Sequence, residues 1–409
     1  MDQQRIGVWL IGALGSVSAA VILGALAQRD GLTDSVGMIT GTEAFRGLGL
    51  VPLDAVEFGG CDIRQGSLRD NVRRLARDIG SLNPDLPAHI DHHLARTEQH
   101  IVRGSTRDCG DAILGLATEP DPAHKTLREE IADIMGHLAR FKASNELDEV
   151  VVVNLASTEP RLNVGACHQS LADFETCLDR SELGVVRAST IYAYAAIRSQ
   201  CPYVNFTPSN GALFPAMVEL AEHMRVPVMG NDGKTGETLV KSVLAPLFVC
   251  RNLQVLSWEA FNILGNMDGR VLDHPENKAS KVRSKDAILP HILGYKPHSL
   301  VNINYVPSLS DQKVAWDYIH FRGFLGHRMS LQFIWQGHDS ILAAPLVLDL
   351  VRLTVLARNR GDAGLMPHLA CFFKDPLGVS EHRLSHQFEM LSAYVAAACE
   401  NPGSAGKRA

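Results

Sequence analysis

Apolar positions come along this chain in two lengths. Short runs that are greasy on both alternating faces read as strands buried on each side: Ile6–Ile11, Glu149–Asn154, Tyr203–Phe206, Val226–Met229, Leu253–Ser257 and Leu300–Tyr305. Between them, longer stretches with helical periodicity predict helices at Lys125–Lys142, Thr190–Ser199, Ala212–His223, Glu237–Val249, Gly323–Gln336 and Ser340–Asn359. Strands alternating with helices predict an α/β protein built on a parallel sheet. Residues 64–123, rich in His and Arg and framed by Pro84, Pro87, Pro120 and Pro122, show no assignable period. No internal repeat is evident, and Glu400 to Ala409 reads as a polar tail.

The first apolar run has a rival reading. No residue from Ile6 to Ala27 is charged, Arg5 stands just before, and Ala25-Leu26-Ala27 resembles a signal-peptidase site. Gly12, Gly15, Ser16 and Ser18 interrupt the run, however, and favour a buried strand, a glycine turn and a buried helix over a bilayer span.

Composition narrows the classes. The 409 residues are 46% hydrophobic and 21% charged, which excludes global disorder and suits two or three domains. With 39 Lys and Arg against 45 Asp and Glu, the net charge of -6 leaves no excess to neutralise a nucleic-acid backbone. The eight Cys are scattered without a CxxC pair, which fits reduced thiols in a cytoplasmic protein. No metal site is expected: His89-Ile90-Asp91-His92-His93 lacks the i, i+4 spacing of a helical metal pair.

Three segments carry candidate chemistry. The turn Gly12-Ala13-Leu14-Gly15-Ser16-Val17-Ser18 follows a strand and opens a helix, as a dinucleotide site requires, but it matches GxGxxG only in part. The same residues could be a plain strand-to-helix turn. For the acidic residue expected about 20 positions on, which would hold a ribose hydroxyl, Glu43 and Asp62 are both candidates. The second segment, Gly230-Asn231-Asp232-Gly233-Lys234-Thr235-Gly236-Glu237-Thr238, lacks the spacing of a Walker A loop. It offers instead a glycine-rich helix entry whose N–H groups and Thr235 hydroxyl could hold an anion. The third, after Pro275, places Lys278, Lys281 and Lys285 on one helical face. Like charges at that spacing repel by a few tenths of a kcal/mol per pair. A phosphorylated or oxyanionic ligand would reverse the sign, and crowding with burial would lower the lysine pKa values toward usefulness in proton transfer. A solvated basic face is the alternative. Lys313 and Lys374 stand in unusual settings, Asp311-Gln312-Lys313 and Phe372-Phe373-Lys374-Asp375-Pro376, and Asp339-Ser340 reads as a helix cap.

Taken together these residues resemble the inositol-1-phosphate synthase family. The resemblance is carried by the first turn and by Gly59-Gly60-Cys61-Asp62-Ile63, Asn154-Leu155-Ala156-Ser157-Thr158-Glu159 and Asn205-Phe206-Thr207-Pro208-Ser209-Asn210. Almost all of Val226 to Asp286 adds to it, with Asp311 to Asp317, Asp339 to Leu346 and Lys374-Asp375-Pro376-Leu377; residues 64–148 carry none of it.

The resemblance implies a Rossmann-like NAD-binding domain, residues 1–240 completed by a returning C-terminal segment, 345–409. It also implies a central α/β domain, 241–344, for catalysis and homotetramer contacts. The implied reaction is cyclisation of glucose 6-phosphate to inositol 3-phosphate by transient oxidation at carbon 5, enolisation, aldol closure and re-reduction. Four lysines are implied as catalytic, Lys281 and Lys313 at the carbon 5 oxygen, Lys285 and Lys374 at the carbon 1 oxygen, with Asp232 orienting a lysine. Thr235, Gly236 and Glu237 fall in the implied phosphate loop. The implied NAD site comprises Gly12, Ala13, Gly15, Ser16, Asp62, Ala156, Ser157, Thr158, Asn266, Asp268, Asp311, Asp339 and Ser340. Participation of a mono- or divalent cation is left open. Leu14 and Ser18 replace glycines of the usual turn, and Glu237 puts a charge where a neutral amide is frequent. A cyclase for another sugar phosphate, or a catalytically silent NAD-binding oligomer, are the competing readings.

Overall fold

A computed structural model describes residues 4–119, 125–286 and 288–400, without the side chains of 283–287. Pro120, Pro122, the tail beyond Glu400 and the Lys285 side chain lie outside the described residues.

The strands are β1 (Ile6–Ile11), β2 (Val56–Asp62), β3 (Ile101–Arg103), β4 (Glu149–Asn154), β5 (Tyr203–Asn205), β6 (Pro227–Gly230), β7 (Gln254–Leu264), β8 (His298–Tyr305), β9 (Gln312–Arg322), β10 (Arg328–His338) and β11 (Gly364–Leu365). Seven form one sheet in the order β11-β6-β5-β4-β1-β2-β3, every pair parallel. Its central strands are buried throughout because both faces are covered. Ile6, Val8, Leu10, Val151 and Val153 join a core with helices Ser16–Arg29 and Asp339–Arg360. Trp9, Ile11, Val150 and Val152 face helices Leu127–Ser144 and Ala188–Arg198. The first apolar run is thus strand, turn and helix. Asp339–Arg360 is long and apolar enough to cross a membrane, but 72% of its most apolar window is buried in this core.

The remaining strands form a mixed sheet, β10-β9-β7-β8, with its own core around Trp258, Phe248 and Ile319. Here the expected elements need correction. Gly323–Gln336, expected as a helix, is a tight turn followed by β10, which pairs antiparallel along all of β9. Met329, Leu331 and Phe333 point toward the core while Arg328, Ser330 and Gln332 alternate outward, so the period is two, and long-range pairing overrides the helical look. β9 escaped notice because Asp317 interrupts its apolar pattern; that carboxylate is fully buried and accepts a 2.6 Å hydrogen bond from Trp258 Nε1. β2 and the helix Leu68–Ile79 occupy sequence left partly or wholly unassigned.

The chain leaves β1 toward β2 on one side and β4 toward β5 on the other, so the strand order reverses between β1 and β4. Ligands of open α/β sheets bind at such a reversal, beyond the carboxyl ends of the strands. Gly12 sits there with φ +84°, and a Cβ on it would lie 3.2 Å from the Ala156 backbone. Two bonds set the lysine-bearing helix Pro275–Asp286 over the same edge: Asn277 Nδ2 donates to Thr158 O (2.7 Å) and Ser280 Oγ to Glu159 O (3.3 Å).

Candidate active site

A cleft of about 290 Å³ runs along this edge. The glycine turn forms one end. Helix Ser16–Arg29 has Gly15 as its N-cap with no side-chain cap, so the N–H groups of its first turn remain for an anion. The two departures from the glycine pattern are absorbed locally. Leu14 packs into the core while its N–H donates to Asp62 Oδ2 (2.9 Å), and the Ser18 hydroxyl donates back to Gly12 O (2.8 Å). Of the two acidic candidates, Asp62 lies in the cleft at the end of β2, whereas Glu43 is exposed and paired with Arg46 at 2.8 Å.

The other end is built by a second uncapped helix. Thr235 is the N-cap of Gly236–Cys250 and its hydroxyl makes no capping bond. Gly236, at φ +54°, has Lys313 Nζ 3.6 Å from where a Cβ would stand. The preceding loop is held against the C-terminal segment by Lys374 N to Asp232 O and Lys234 N to Phe372 O, both 2.7 Å, which carries Lys374 into the cleft.

Between the two helix starts, lysines and carboxylates interleave. Lys374 Nζ donates to Asp232 Oδ1 at 2.7 Å, Lys313 Nζ to Asp339 at 2.9 and 3.1 Å, and Lys281 Nζ to Asp268. All six groups line the cleft. The expectation that crowding would lower the lysines of the Lys278, Lys281 and Lys285 face fails at Lys281, which is raised, while Lys374, outside that face, is the one lowered. Burial takes Lys374 below the ordinary lysine value, Asp232 opposes this, and the nearby Lys281 and Lys313 ammoniums add to it. Burial also works against Lys281, but Asp268, Asp232 and Asp339 outweigh it and hold that ammonium charged, above the ordinary value. Burial pushes Asp339 up, yet Lys313 and Lys281 bring it down to about 2.

Most residues expected at the cofactor line the cleft, namely Gly12, Gly15, Ser16, Asp62, Ala156, Ser157, Thr158, Asn266, Asp268, Asp311, Asp339 and Ser340. Ala13 is core instead. The fit to a polar ligand shows in two buried atoms, Thr158 Oγ1 and Asp311 Oδ1, which lack hydrogen-bond partners among the described residues. Glu237 does not serve the phosphate loop as expected. Its side chain is fully buried, paired with Lys241 at 2.5 Å and accepting from Asn262 Nδ2 at 2.6 Å, so its charge is spent in the interior. Lys278 shares a helix with Lys281 but does not line the cleft. Among the described residues, no three metal-ligating side chains come together.

Sequence reading missed four charged groups here. Glu159 is buried in the wall and receives Ser189 N at 2.9 Å; its only signal was its place at the end of Asn154-Leu155-Ala156-Ser157-Thr158-Glu159. Arg64, two residues after Asp62, also lines the cleft, as do Arg74 and Asp78 on the helix Leu68–Ile79.

A switch-point glycine turn, an acid at the end of β2 and lysines gathered from the helix Pro275–Asp286, from β9 and from the C-terminal segment make a site of the class that dinucleotide-dependent enzymes use on anionic substrates. The model of the myo-inositol-1-phosphate synthase family, an NAD-binding family, matches residues 6–396. The chain is 35% identical to inositol-3-phosphate synthase 1 of Bacteroides thetaiotaomicron, covering 93% of this chain and 92% of that one. It is 30% identical to the inositol-3-phosphate synthase of Dictyostelium discoideum, over 85% and 74%. Among solved structures, inositol-3-phosphate synthase from Caenorhabditis elegans superposes with a TM-score of 0.87 at 24% identity, covering 97% and 86%. A myo-inositol-1-phosphate synthase-related protein from Thermotoga maritima gives 0.79 at 25%, covering 96% and 99%. The chain belongs to the myo-inositol-1-phosphate synthase family.

Proposed function

We propose that the protein is an NAD-dependent isomerase that closes glucose 6-phosphate into inositol 3-phosphate. The observation that carries this is the set of three lysines interleaved with three carboxylates between two uncapped helix starts, one suited to a pyrophosphate and one to a substrate phosphate. Bound NAD supplies a reversible hydride sink.

The chain's own residues do the rest. Thr235 and the first N–H groups of its helix hold the sugar phosphate. Lys281, kept charged by its carboxylates, acts with Lys313 on the carbon 5 oxygen; as that carbon becomes a ketone, positive charge beside its oxygen acidifies carbon 6 and steadies the enolate. Lys374, whose ammonium burial disfavours, gives a proton at the carbon 1 oxygen as the ring closes, and Asp232 fixes its direction. Lys285 joins it there by resemblance. Re-reduction at carbon 5 leaves the substrate isomerised with no net redox change.

The test uses glucose 6-phosphate carrying deuterium at carbon 5. The proposal expects inositol phosphate that keeps the label. A product that loses it, or a carbonyl product with stoichiometric NADH, overturns the reading.

Cytoplasmic residence is supported by the cysteines, which form no disulfide among the described residues. Assembly as a homotetramer is supported by the outer face of the four-stranded sheet. Trp316 stacks on Phe261 with ring centroids 5.2 Å apart, and Leu300 and Ile334 stand exposed beside them.

A further inference from the structure

Asp62 stands where a dinucleotide fold normally reads the adenosine ribose. There a free carboxylate accepts from the 2′-hydroxyl and repels a 2′-phosphate. In this chain the carboxylate is not free. Oδ1 accepts from the Arg64 backbone N–H (2.9 Å) and from Arg64 Nε (3.1 Å), while Oδ2 accepts from the Leu14 N–H (2.9 Å) and from Arg64 Nη2 (3.2 Å). A carboxylate offers about four lone-pair directions, and all of them are taken by the protein itself.

The Asp62 side chain is only 3% exposed, whereas the guanidinium covering it is 28% exposed and lines the cleft. Arg74, on the helix that follows β2, lines the same wall and makes no ion pair among the described residues; Asp78 is the remaining charge there. Arg64 spends two of its five N–H donors on Asp62, which leaves three in a fork suited to a phosphate.

We propose that Arg64 sets dinucleotide selectivity. By neutralising Asp62 and presenting its own donors, it lets the site accept a 2′-phosphorylated dinucleotide, NADP, alongside NAD. The inference rests on dinucleotide binding and is independent of the sugar.

The test is equilibrium displacement of radiolabelled NAD from the intact protein by unlabelled NAD and by NADP. The wild-type protein is expected to bind the two within about tenfold of each other, a difference of ~1.4 kcal/mol. Arg64→Ala is expected to widen the gap by at least about tenfold, by weakening NADP while NAD binds as well or better, and Arg64→Lys to fall between. Three results overturn the proposal: failure of NADP to compete at about 100-fold excess, a selectivity unchanged by Arg64→Ala, or equal loss of both dinucleotides, which would make Arg64 a structural clasp.

Discussion

Lys281 and Lys374 are the same residue type in the same cleft, shifted in opposite directions. Three carboxylates keep the first charged, and burial loosens the proton of the second. Their variants should therefore fail differently. Lys281→Ala removes a fixed positive charge, so kcat should fall by about 10²–10³-fold or more with NAD still bound; normal turnover in that variant contradicts the assignment. Lys374→Arg keeps a cation that cannot give up its proton, and it should lose turnover nearly as completely while stability changes little, as thermal unfolding would show. At this scale the sequence was most informative, since Lys281, Lys313 and Lys374 each sit in a recognisable local motif. It could not say which lysine is depressed, because that depends on Asp268 and Asp339 arriving from other elements. Nor could it show that Glu237 turns inward to Lys241, a partner one helical turn away whose burial only the packed sheet provides.

Two elements join at Glu159. Its carboxylate receives the Ser189 N–H in the first turn of helix Ala188–Arg198, and its carbonyl receives Ser280 from the lysine helix. Burial raises its carboxyl from 4.5 to about 7. The folded state then holds this proton more tightly than the unfolded chain does, so the group's contribution to stability falls as pH rises from 4.5 through about 7. The full effect is about 3 kcal/mol. Glu159→Gln keeps an acceptor for Ser189 and should remove that slope, making the variant the more stable protein above the window. Urea unfolding at pH values on both sides would show it; parallel wild-type and variant curves would contradict it. Elements whose pattern is local, such as β1, β4 and the helix Asp339–Arg360, were legible from the sequence. β10 was not, because what makes Arg328–His338 a strand is its pairing with β9, and β9 itself was hidden by the buried Asp317.

For the whole molecule, one sheet is covered on both faces and the other shows an apolar face to solvent. Ile334, on the edge strand β10, is 66% exposed there. Burying an isoleucine is worth about 1.5–3 kcal/mol, and symmetry repeats the gain at each contact. Ile334→Asp should therefore shift the assembly to smaller species by sedimentation velocity while the unfolding temperature of each chain stays close to that of the parent. An unchanged assembly would place the interface elsewhere. How the NAD turn and the lysine helix meet could not be read from the chain, since Asn277 and Thr158 are far apart in sequence and their bond is what closes the cleft. The most direct measurement follows the purified protein with glucose 6-phosphate and NAD by phosphorus NMR and chromatography, with NADH absorbance recorded alongside. The account predicts inositol phosphate accumulating while NADH does not. Glucose 6-phosphate left untouched, or consumed with NADH rising in step, would contradict it.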